Sequence, residues 1–138
     1  MTKNLKTLIK ISQFELDKKR RELGEITSRQ DGFYKQIKDI DGIVESEQKA
    51  AITNEKIREF LSSFIFASKE KQKNLREEAK KLEPEIQKKT SEISEAFTEV
   101  KKYETVLENK LEQEAYEENK KNQLEIDEVA MQKFSENY

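Results

Sequence analysis

The stretch REEAKKLEPE (residues 76–85) concentrates the side chains that could do chemistry in this chain, carboxylates beside amines. Glu77 and Lys81 stand four residues apart, which on a helix makes a weak surface pair of ~0.3–0.5 kcal/mol. A general acid needs a partly dry, concave setting to shift its pKa. Nothing in a charged helix face supplies one. The chain has no His and no Cys, so the commonest general base, the commonest metal ligand and all thiol chemistry are missing. No glycine-rich phosphate loop, catalytic triad or metal-ligand cluster is present. An enzyme is not expected, nor is a cofactor or a metal.

Two other groups have the composition of contact surfaces. DKKRRELGEI (17–26) holds four consecutive cations, Lys18, Lys19, Arg20 and Arg21, next to Asp17. They are either a solvated helix face or a patch for an acidic protein partner. REFLSSFIFAS (58–68) crowds Phe60, Leu61, Phe64, Ile65 and Phe66 into seven positions of a chain that is 41% charged. Phe60, Leu61 and Phe64 are expected in a core. Phe66 points nearly the opposite way, either exposed or held by another protein.

The elements that carry these groups must be helices. Only 33% of the residues are hydrophobic, with one Pro and three Gly in 138. Good helix formers dominate, and the apolar residues recur with a period that argues against disorder. From Leu5 the apolar frame runs through Ile9, Ser12, Leu16, Lys19, Leu23, Ile26, Gln30, Phe33, Ile37, Ile40 and Val44. Steps of three and four alternate, the mark of a coiled-coil seam with polar interruptions. A second frame runs Leu61, Ile65, Ser68, Gln72, Leu75, Ala79, Leu82, Ile86, Lys89, Ile93, Ala96, Val100, Tyr103 and Leu107. Thr53 or Asn54 is a suitable N-cap for it. Pro84 occupies an outward position and is expected to kink the helix rather than stop it.

The expected fold is all-α: a long antiparallel two-helix coiled-coil hairpin with an overhanging C-terminal helix. It forms a single coiled-coil domain over residues 1–138, with helix one at about 3–47, a turn at about 48–53 and helix two at about 54–134. Folding at about residue 50 sets Phe64 against Ile37 and Ile57 against Val44, and Phe60, Leu61 and Phe64 clamp the tip against Ile37 and Ile40. The overhang has a middle, EQEAYEENKKN, with almost no apolar stripe, and an end that is apolar again at Leu124, Ile126, Val129, Met131 and Phe134. It is frayed, packed on a second copy to give a homodimer, or ordered by a partner.

The net charge is −2 with both signs interspersed, which gives no reason for a nucleic-acid or membrane surface. No apolar run approaches the ~20 residues of a transmembrane helix, and the N-terminus lacks the pattern of a secretory signal. Direct membrane insertion is therefore not expected, and a cytoplasmic location is.

LIKISQFELDKKRRELGEI resembles the opening of the FliJ family of flagellar export proteins. AAITNEKIREFLSSFIFASKEKQKNL resembles that family's inter-helix turn and aromatic-bearing helix start. EAFTEVKKYETVLENK and LEIDEVAMQKF resemble its later segments, and the alphaproteobacterial branch is the nearest in pattern. Ala51 stands where the family often has Gly. The resemblance implies a soluble antiparallel coiled coil similar to the gamma stalk subunit of F-type ATPases. It implies three partners: the hexameric flagellar export ATPase ring, the cytoplasmic domain of the membrane export gate, and export chaperones. It places the chain in the cytoplasm, peripheral at the inner-membrane export apparatus. By position, Asp17, Lys18, Arg20, Arg21 and Lys101, Lys102, Tyr103 would enter the ring. Phe33, Tyr34, Ile37, Ile40, Phe60, Phe64 and Phe66 would face the gate. A structural coiled coil that dimerises, or a holdase chaperone gripping clients with an apolar end, would carry the same heptads.

Overall fold

The structure is a computed structural model that describes residues 2–136. It is an all-α helical hairpin, with α1 at Thr2–Ala51, α2 at Glu55–Lys81 and α3 at Glu83–Glu136. Two compact units can be distinguished. One comprises Asp17–Ser94; the other takes the start of α1 through Leu16 and α3 from Glu95 onward.

In the Asp17–Ser94 unit, the antiparallel register can be read from the polar contacts. Lys19 Nζ lies 3.7 Å from Glu92 Oε2, and Lys89 Nζ lies 2.6 Å from Glu22 Oε2. Gln30 Nε2 donates to Ala79 O at 3.1 Å, and Gln72 Nε2 donates to Ile37 O at 2.9 Å. As the number rises along α1, the partner's number falls. The inner positions are those of the two heptad frames. Ile37, Ser68, Gln72, Ala79 and Leu82 are buried, and Leu23, Ile26, Phe33, Leu61, Ile65 and Ile86 are half-buried. A two-helix pair has no third layer to close over its seam. Burial is therefore deepest at Ala79, whose small side chain lets the backbones approach.

The unit built on the start of α1 and on α3 has the same antiparallel sense. Gln13 Nε2 donates to Glu104 Oε1 at 3.4 Å, and Ile9, Leu16 and Val100 are its buried residues. Every described residue from 111 onward is exposed, so the seam of this unit ends at Lys110.

α1 continues through Gly24, Gly32 and Gly42 without a break. The apolar phase is kept across all three, so packing outweighs the ~1 kcal/mol each glycine costs against Ala. The connection between α1 and α2 is short, Ile52 to Asn54. Asn54 is the N-cap: its side-chain oxygen accepts from the Lys56 and Ile57 amides at 3.0 and 3.3 Å. Arg58 closes the other side, donating through Nε to Ala51 O at 3.1 Å and through a terminal nitrogen to Ile52 O at 3.2 Å. A cation in the first turn of α2 is unfavourable for α2 alone. Here it satisfies the last carbonyl of α1, Ala51 O, and Ile52 O just beyond it, where positive charge is favoured.

This turn corrects the expected register. The fold point lies near Asn54 rather than residue 50, and moving it by four residues moves every pairing by eight. Gln72, not Phe64, therefore reaches Ile37. The clamp of Phe60 and Phe64 on Ile37 and Ile40 does not form. Phe60 is 68% exposed and Phe64 36%. Each stands one residue before a seam position, Leu61 and Ile65, and so ~100° around the helix from it.

At Pro84 the helix is interrupted at the single residue Leu82. Pro84 has no N–H to give to Lys80 O. The chain compensates with a tighter turn, Leu82 N to Ala79 O at 3.2 Å, and resumes with Ile86 N to Leu82 O at 3.0 Å. Leu82 stays in the right-handed helical region, so the result is a one-residue joint between α2 and α3.

Candidate functional site

The aromatic cluster forms a surface rather than a core. Ile57, Phe60, Leu61 and Phe64 of α2 line a groove of about 220 Å³. Glu47 of α1 and Lys56 of α2 are the charged residues on its walls. The groove exists because α2 leaves the turn with Leu61 on the seam, which turns Phe60 and Phe64 to one side of it. Phe66 lies outside this groove and is 69% exposed. Of the α1 residues assigned to the same end, Ile37 is buried, Phe33 and Ile40 are half-buried, and Tyr34 is exposed. The exposed part of the expected set is therefore Tyr34, Phe60, Phe64 and Phe66, while Ile37 serves the seam.

The cationic segment is likewise on the surface. Asp17, Lys18, Arg20 and Arg21 are all exposed. Arg20 reaches Asp17 at 3.7 Å, a loose pair between exposed side chains. Lys19 is turned inward, to Glu92. Next to it lies the tightest charged cluster among the described residues: Lys89 bonds Glu22 at 2.6 Å and Glu92 at 3.2 Å. The Lys89 hydrogen bond holds both carboxyls below the ordinary carboxylate value, against a smaller opposing effect of desolvation. In return Glu22, then Glu92, raise the Lys89 ammonium above its ordinary value.

In the other unit, Lys101 and Tyr103 make their polar contacts within α3. Lys101 Nζ sits 5.4 Å from the centre of the Phe97 ring and 3.2 Å from Glu104 Oε2. Tyr103 donates its hydroxyl to Glu99 Oε1 at 2.6 Å. That bond raises the phenol pKa, with desolvation and the Glu99 charge adding to it. Lys102 is exposed. Beyond Lys110, α3 shows Leu124, Ile126, Val129 and Met131 to solvent.

Several of the residues that position these surfaces carry little signal in the sequence. Gln30 and Gln72 stand out only as polar interruptions of the frames; their acceptors depend on register. Arg58 carries no signal, because a cation at a helix start is read against that helix and not against the one before it. Among the described residues no group of His, Cys, Asp or Glu could hold a metal ion. Among them, too, no helix is long and apolar enough to cross a membrane.

No curated protein and no solved structure matches the chain. One family does: the model described as Flagellar FliJ protein matches residues 1–137.

Proposed function

The chain belongs to the FliJ family, a non-catalytic component of the flagellar export apparatus, and on that premise we propose that it is a stalk that couples the export ATPase to the export gate. In this reading the exposed cations Lys18, Arg20 and Arg21, with Asp17, and the Lys101–Tyr103 segment contact the hexameric ATPase ring. Tyr34, Phe60, Phe64 and Phe66, together with Phe33, Ile37 and Ile40 of the same set, serve the cytoplasmic domain of the gate. Export chaperones are further partners. The protein works in the cytoplasm, at the inner face of the membrane.

The observation that carries the gate contact is the exposure of Phe60, Phe64 and Phe66 within seven positions of one helix. Phenylalanines left in water at this density mark contact sites for other proteins. The test uses the purified chain, the export ATPase and the cytoplasmic domain of the gate. Arg20→Glu with Arg21→Glu is expected to weaken ATPase binding and stimulation. Phe60→Ala with Phe66→Ala is expected to weaken gate binding alone. Unchanged binding in either variant removes that half of the assignment.

A second reading, a coiled coil that dimerises, is favoured by one observation, the exposed Leu124, Ile126, Val129 and Met131 on α3. Sedimentation equilibrium separates the two: a concentration-dependent dimer supports the second, a monomer across the range the first.

A further inference from the structure

The joint at Leu82 is bridged from outside. Gln30 Nε2, on α1, donates to Ala79 O at 3.1 Å and to Glu83 Oε2 at 2.9 Å. One acceptor belongs to the last turn of α2 and the other to the first residue of α3. The bridge stands where the packing is closest: Ala79 is fully buried and Leu82 nearly so. Pro84 has removed the backbone bond that would otherwise stiffen this point. Ala79 O receives both the Leu82 amide and the Gln30 amide. A side-chain amide has two N–H donors, and this one places them on opposite sides of the break. The side chain is half-buried, so the bonds are partly sheltered from competing water.

We propose that Leu82 is a built-in hinge and that Gln30 is its latch. With the latch closed, α2 and the first turns of α3 are held at one fixed angle while α1 continues unbroken beside them. With it open, the angle varies. Pro84 makes the hinge, by deleting the bond that would erase it. Glu83 is the exposed arm of the latch, and Ala79 O the sheltered one.

The chain has no cysteine, so spin labels can be placed at Lys71→Cys and Lys88→Cys, two exposed positions on either side of Leu82. In a straight helix their Cα atoms would be about 25 Å apart. The parent protein should give a single narrow distance distribution. Gln30→Leu keeps the side-chain bulk and removes both bonds; it should broaden the distribution. Glu83→Ala, which removes only the exposed arm, should broaden it less. Pro84→Ala restores the helical donor and should give a narrow distribution near the straight-helix value, which Gln30→Leu then no longer broadens. Amide exchange supplies the second readout. Gln30→Leu should speed exchange at Leu82 and Ile86 by roughly tenfold, the worth of one sheltered hydrogen bond, with the Gln72 region unchanged. An unaltered distance width in Gln30→Leu would overturn the proposal. So would equal broadening with and without Pro84, or exchange that rises uniformly over α2 and α3.

Discussion

Gln72 donates to the carboxylate of Asp41 at 2.7 Å, and the same nitrogen reaches Ile37 O at 2.9 Å. A residue that interrupts the apolar frame of α2 thus ties it to α1 at two points one helical turn apart. Gln72 is 6% exposed, so its amide could not be satisfied by bulk water. A Gln at a seam position is tolerated when its partners are in reach, and they are in reach in only one register.

Gln72→Ala removes both bonds and leaves a gap beside Ile37. We expect a loss of about 1–3 kcal/mol, measured by urea unfolding. Asp41→Ala should cost less, because Gln72 keeps the Ile37 carbonyl. The double variant should cost less than the sum of the two. Additive losses would mean that the Gln72–Asp41 bond contributes nothing to stability.

Arg58 and Asn54 hold the turn from its two sides, and they should differ in how they respond to substitution. Asn54→Ala loses an N-cap worth about 1 kcal/mol. Arg58→Lys keeps the charge but cannot span Ala51 O and Ile52 O with one planar fork. It should recover less than half of what Arg58→Ala loses. Thermal unfolding followed by circular dichroism measures both. Full recovery by lysine would show that charge at the end of α1 matters and that the two bonds do not.

The hairpin is legible in the sequence because its cause is periodic. The frame positions from Leu5 to Val44 and from Leu61 to Leu107 are the ones turned inward in their units, polar members included. Register is not legible, for an arithmetic reason. An antiparallel pairing moves by two residues for each residue of error in the turn. The turn is set by a cap and by Arg58, neither of which has a periodic signature. Apolar character alone would place Phe60 and Phe64 in a core; their phase, one step off the seam, places them outside it. The contact surface that results follows from that phase, which the Leu61–Ile65 frame already carries, and not from the register.

The Lys89 cluster makes stability depend on pH at both ends of the scale. The Glu22 and Glu92 carboxyls have folded pKa values below 4.5. Their contribution is present above 4.5 and is lost as the pH falls through the lower, folded values. Lys89 has a folded value above 10.5. Its contribution is full below 10.5 and is lost as the pH rises through the higher, folded value. The contribution of the Tyr103 phenol, raised above 10.0 by Glu99, is lost on the same alkaline side. The melting temperature should therefore be flat between these limits and fall outside them. Lys89→Met should flatten the acid edge and weaken the alkaline one, leaving the Tyr103 part. Because these side chains are about a third exposed, the effect should shrink in high salt. An acid edge unchanged in Lys89→Met would assign it to other carboxylates.

Phe60 and Leu82 give the sharpest contrast between surface and seam. Phe60 is 68% exposed and Leu82 7%. Truncating a side chain that already lies in water changes stability by about 0.5 kcal/mol or less. Truncating a buried leucine removes its packing and leaves a cavity, at a cost of about 2–5 kcal/mol. Leu82 sits at the joint, where the backbone has some freedom to close the gap, so its loss should fall at the lower end. Phe60→Ala and Phe66→Ala should therefore unfold like the parent while Leu82→Ala unfolds at clearly lower urea. The same two phenylalanine variants then serve in binding experiments without a folding defect to explain away. If Phe60→Ala instead lost about 2 kcal/mol or more, the cost of truncating a core residue, the side chain would be part of the core. The groove it lines would then be a packing fault rather than a contact site.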